Sequence, residues 1–125
     1  MPMQANPENL VPRFSFQIHE VLDSGQITGR NCGDDLPVGI TFTTLVRRDF
    51  TGLEPDGSYT SPKPHFVSDI SLRLHAAELY RRNVDVVASG YTALLGISGE
   101  GISGIRDLVA SASARTSYSL CAFDA

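Results

Sequence analysis

The chain has 125 residues, 42% of them hydrophobic, enough for a single domain to bury its core without metals or disulfides. Its formal net charge of −4 provides no general attraction to phosphate and weighs against nucleic acid as the default partner. All the basic residues except Lys63 are arginine, which suits forked contacts to carboxylate or phosphate and also follows from a GC-rich genome.

Residues 1 to 13 carry Pro2, Pro7 and Pro12 among polar residues and are expected to form a flexible segment, followed by one domain over residues 14 to 125. The opening lacks the basic start and apolar run of a secretory signal, and no stretch approaches the roughly 18 apolar residues of a membrane span. A cytoplasmic protein with no membrane partner is the expectation. Cys32 and Cys121 lie far apart with no CxxC or Cys/His cluster, so free, buried thiols are expected rather than a zinc site or a disulfide.

Phe14, Phe16 and Ile18 alternate with Ser15, Gln17 and His19, the period of a half-buried strand, and the phase breaks at Glu20, Val21 and Leu22, which predicts a β-bulge. Asp23-Ser24-Gly25 reads as a tight turn and residues 26 to 32 as the returning strand of a hairpin. After a turn over residues 36 to 39, Ile40, Phe42, Thr44 and Val46 alternate against Thr41, Thr43, Leu45 and Arg47, the clearest strand of the chain. Residues 51 to 65, with three prolines and a Pro-Asp-Gly turn, read as a long loop. Ile70, Leu72, Leu74 and Ala76 then alternate in a strand that extends toward Tyr80, with a helix as the rival reading of residues 75 to 82. A strand over residues 91 to 97, a short helix around residues 105 to 109 and a last strand over residues 116 to 123 complete the pattern. Six or so short strands predict an all-β fold, a small closed six-stranded barrel with one short helix near the C-terminus.

The order of several pieces carries more information than any one of them. Residues 16 to 22 (FQIHEVL), Gly25, Ile27-Thr28-Gly29-Arg30 and Val38-Gly39 come in the order in which an acidic strand, a glycine turn, a Thr-Gly-Arg strand and a Val-Gly pair open a known domain. Residues 79 to 85 (LYRRNVD), Ala88, Gly90 and the apolar run from Tyr91 to Ile97 continue the match. Over about residues 14 to 100 the chain resembles the second, β-barrel domain of translational GTPases of the elongation factor Tu family. No GxxxxGK[ST] loop is present, so neither GTP binding nor any other cofactor is expected. The resemblance implies a pocket at His19, Glu20, Leu22, Thr28 and Thr92, which in the elongation factor helps receive the aminoacyl end of tRNA. Three of these depart from the pattern: His19 stands where an acid is usual, Leu22 where an aromatic is usual and Thr92 where an amide is usual. That argues for a different ligand, since a site built for polar groups keeps their partners.

Residues 99 to 104 spell GxGxxG, with Asp124 about 20 residues on as in a dinucleotide fold; the chain leaves no room for a doubly wound sheet, and a flexible glycine loop is expected. Arg47-Arg48 and Arg81-Arg82 are the dense positive spots, able to grip phosphate or an acidic partner if they converge on neighbouring strand ends, with Arg30 as a further candidate. His19, His65 and His75 show no metal spacing, and no GxSxG elbow supports a hydrolase.

The leading expectation is a non-catalytic binding module that contacts a protein partner through its rim or through Leu53, Tyr59, Pro62, Pro64 and Phe66 of the long loop. The alternative is an RNA- or ribosome-associated translation accessory factor using Arg30, Arg47, Arg48, Arg81 and Arg82. A third reading is a small enzyme or ligand-binding barrel in which a bulge brings His19 and Glu20 to one pocket.

Overall fold

Aromatic and branched residues at every second position drive the first strand into place. In β1 (Phe14–Val21), Phe14, Phe16 and Ile18 are buried on one face. The phase then shifts between Ile18 and Glu20, leaving His19 as the extra residue of a bulge and returning Val21 to the interior. The computed structural model describes residues 11–49 and 64–123. After β1 come β2 (Ile27–Asn31), β3 (Leu36–Pro37), β4 (Thr41–Asp49), β5 (Pro64–Leu79), β6 (Arg82–Val84), β7 (Val86–Val87), β8 (Thr92–Gly99), helix α1 (Ile102–Ser111) and β9 (Thr116–Ala122). The class is all-β with one short helix, as the sequence implies.

All pairings are antiparallel, and six of the strands form a circuit. The ladders run β4-β9-β1-β2-β8-β5, and a further pairing of β4 with β5 returns the sheet to its first strand. The 16 residues of β5 make that closure: Pro64 to Arg73 pair with β4, and Leu72 to Glu78 pair with β8. A register shift between Leu74 and Ala76 bends the strand at His75. Gly96 faces this bend, where a Cβ would come within 3.0 Å of the His75 ring and 3.2 Å of the Ala76 methyl. Inside the circuit Phe16, Phe42, Leu72, Leu74, Leu95 and Leu120 are fully buried, each removing apolar surface worth about 1.5–3 kcal/mol. Helix α1 adds Ile105 to this core, with Ile102, Leu108 and Val109 packed at its margin.

Several expectations are corrected by these ladders. Pro64 and His65 are not loop: they pair with Arg48 and Arg47, and a proline is tolerated as the first residue of a strand because it breaks no interior ladder bond. Of the predicted loop, residues 51 to 63 lie outside the described residues, as do residues 1 to 10 of the N-terminal segment. Residues 75 to 79 continue β5, so the helical alternative for that stretch does not hold. In β4 a register shift between Phe42 and Thr44 moves the core phase, so that Phe42 and Leu45 enter the core while Thr44 and Val46 are buried outside it. The glycine stretch is not a free loop either: Gly99 ends β8 and Gly104 lies within α1. Of the two thiols, Cys121 is buried as expected but Cys32 is exposed.

Candidate functional site

The bulge at His19 and the regular pairing beyond it set a row of side chains across the outer face. Glu20 pairs with Thr28, Thr28 with Leu94, and Leu94 with Glu78, which aligns these residues over β1, β2, β8 and β5. Their chain neighbours Ile27, Ala93, Leu95 and Ala77 point into the core, so the row faces outward. The Thr28 hydroxyl donates to the Glu20 carbonyl at 3.5 Å. Two residue pairs along, Arg30 stands opposite Thr92 and donates from Nε to the Gly90 carbonyl at 3.2 Å.

The row ends at an unusual turn. Leu79 pairs with Arg82, leaving Tyr80 and Arg81 as a two-residue hairpin loop with φ of 51° and 65°. Positive φ at both central residues defines a type I′ turn, whose customary occupants are Asn-Gly, because a larger L-residue in this region costs roughly 1–2 kcal/mol. A tyrosine and an arginine sit here instead, and Tyr80 is 86% exposed. Between this turn and the outward row lies a cleft of about 360 Å³. It is lined by Thr28, Thr92, Ala93 and Leu94 of the strands and by Glu78, Tyr80 and Arg81 at the end of β5 and its turn. The arrangement is apolar below and polar at the margin, with an aromatic ring and a guanidinium held up by the turn.

Of the five pocket residues suggested by the resemblance, Thr28 and Thr92 meet in this cleft and Glu20 stands beside Thr28. His19 does not join them: it lines a separate cleft with Val109, Ala112 and Tyr118 near the end of α1. The bulge therefore parts His19 from Glu20 rather than bringing them to one pocket. Leu22 is a turn residue, its N–H donating to the Gln26 carbonyl and its own carbonyl accepting from Gly25 N–H. The arginine pairs do not converge. Arg47 and Arg48 pair with His65 and Pro64 at the start of β5, whereas Arg81 and Arg82 follow its end. Arg47 is engaged with Asp49, Nε to Oδ2 at 3.3 Å. Arg48 lines a groove with Ser15, Gln17 and Cys32.

Near that groove, burial pushes the Cys121 thiol above its ordinary pKa, opposed by its hydrogen bond to the Ser15 hydroxyl and by the Arg48 charge. Sequence reasoning missed Glu78, Tyr80 and Leu94 as cleft residues. The period of two in β8 would have put Leu94 outward, opposite Ala93 and Leu95. The Tyr80-Arg81 turn carries no glycine, proline, Asn or Asp and so sends no signal.

No family model matches the chain, and no curated protein or solved structure does either.

Proposed function

We propose that the chain is a non-catalytic binding module that engages a protein partner through the outer face around the Tyr80-Arg81 turn. The observation that carries this reading is the pair of left-handed residues at that turn, which hold an exposed tyrosine and an arginine over an apolar-floored cleft. Backbone strain of this kind costs stability and collects where a side chain has to be presented. Tyrosine and arginine dominate the hot spots of protein interfaces, because both combine large contact area with hydrogen bonding.

The resemblance to the elongation-factor barrel bears on the same face, since the pocket it implies includes Thr28 and Thr92. With His19 and Leu22 elsewhere, only Glu20, Thr28 and Thr92 of the five implied residues lie together, which favours a different occupant. The separation of Arg47-Arg48 from Arg81-Arg82 likewise favours a protein surface over a phosphate backbone, which is gripped by clustered charges.

The test is a tagged recovery from lysate of the source organism, with and without RNase, comparing wild type with Tyr80→Ala and Arg81→Glu by quantitative mass spectrometry. One RNase-resistant partner at near-equal amount, lost in both variants, is the expected result. Recovery of ribosomal or tRNA-associated proteins that disappears with RNase would overturn it in favour of a translation-linked role.

A further inference from the structure

A second groove lies toward the other end of β5, and it is bordered by an open strand edge. At Leu72 and Arg73 β5 is flanked by both β4 and β8, but between Pro64 and Ser71 its ladder among the described residues is with β4 alone. Alternate residues of an antiparallel strand turn their N–H and C=O groups to opposite sides. Of residues 67 to 71 only Ser68 and Asp69 keep register partners in β4, which shifts on either side of them, and among the described residues none has a ladder partner on the opposite side. The two strands part at the Leu72 and Gly99 pair. Gly99, with φ of +144°, lets the chain swing off, and a Cβ there would press on the Ser71 carbonyl. The chain then enters α1, which stands across from the free edge.

The space between edge and helix is a groove of about 800 Å³. Leu45 and Ile70 lie on one side, Gly104, Ile105 and Leu108 on the other. Asp69 and Glu100 supply the charge, with no basic side chain among the described residues that line it. An open edge invites strand addition, in which main-chain hydrogen bonds give affinity and pockets for alternate side chains give selectivity. The apolar walls suit one set of those side chains, and the two carboxylates suit lysine or arginine in the other.

We propose that this groove takes an extended segment of a partner protein, apolar and basic residues in alternation, as an added strand along residues 67 to 71 of β5. The surface lies apart from the Tyr80-Arg81 face and the proposal stands independently of it.

The experiment pans a phage-displayed library of random nonapeptides on the intact chain and measures the most enriched sequence, fluorescein-labelled, by anisotropy. Enriched peptides alternate apolar residues with Lys or Arg. N-methylation of the peptide's amides in turn weakens binding tenfold or more at one parity and less than twofold at the other, a readout that needs only the wild-type protein. Gly104 is the position to block, because a Cβ there meets nothing within 4 Å. Gly104→Phe lowers affinity at least tenfold while Gly104→Ala does not, and Asp69→Asn with Glu100→Gln weakens binding at least threefold. Tyr80→Ala leaves it unchanged. No enrichment, an N-methylation profile without parity, or binding that survives Gly104→Phe and is lost with Tyr80→Ala would overturn the proposal.

Discussion

The side-chain amide of Asn31 donates to the Val87 carbonyl at 2.8 Å, joining residues 56 apart in the chain inside a fully buried environment. The same nitrogen donates to the Asp34 carbonyl at 2.9 Å, and the side-chain oxygen accepts the Gly33 N–H at 3.0 Å. One amide thus fastens the end of β2 to the small β3–β7 pair and to the turn between them.

Asn31→Leu takes the side-chain donor from the buried Val87 carbonyl and the partners from the part-buried Asp34 carbonyl and Gly33 N–H. Each unmet buried group costs about 1–3 kcal/mol, partly relieved by the added apolar contact. Urea unfolding is expected to show a loss of about 2–4 kcal/mol, and an unchanged midpoint would show that the staple contributes nothing.

Two glycines provide opposite outcomes. At Gly29 a Cβ would meet the Gln17 carbonyl and the Phe16 ring across the β1–β2 ladder, neither of which can withdraw easily. Gly29→Ala is expected to destabilise by about 1–3 kcal/mol. Gly104 is exposed on α1 with open space around it, so Gly104→Ala is expected to stabilise by up to about 1 kcal/mol, from helix propensity alone. Thermal unfolding of the two variants side by side reads the difference in sign.

Replacing Tyr80-Arg81 by Asn-Gly restores the residues a type I′ turn prefers. The double variant is expected to gain about 1–2 kcal/mol in stability and to lose its partner in the recovery assay. A variant that is both more stable and fully competent would detach the strained turn from binding.

The thiols should separate cleanly. Cys32 is exposed and Cys121 buried, so iodoacetamide at neutral pH labels Cys32 alone in the native protein and both after unfolding. Because burial raises the Cys121 pKa in the folded chain, its protonated form is kept there while the unfolded chain ionises first. The stability this provides is complete below the ordinary thiol pKa and is lost as pH rises from there through the folded value. Unfolding midpoints of wild type and Cys121→Ala, compared between neutral and strongly alkaline pH, should converge as pH rises if this linkage operates.

The parts of the fold that were legible in the sequence are those where one rule acts alone. Phe14, Phe16 and Ile18 announced a strand by their period, and the break after Ile18 announced the bulge. The interior phase of β4 was misread because a register shift near Thr43 leaves no mark on the residues themselves. Three of the seven residues that line the candidate cleft are legible in the sequence, Thr28, Thr92 and Arg81. Glu78 and Leu94 reach it only through the β2–β8–β5 register, which depends on pairings between distant segments. The β5 groove was invisible for the same reason, since an open edge is a property of which strand stops first.

The place of β9 in the circuit has a consequence during synthesis. It lies between β1 and β4, yet it is synthesised after both and after the other strands of the circuit. Until Thr116–Ala122 emerges, β1 and β4 each present a bare flank, and hydrophobic strands with bare flanks are templates for intermolecular pairing. The nascent chain thus carries two bare flanks until this stretch is made, and the circuit closes by insertion of β9 between strands already synthesised rather than by growth from one edge.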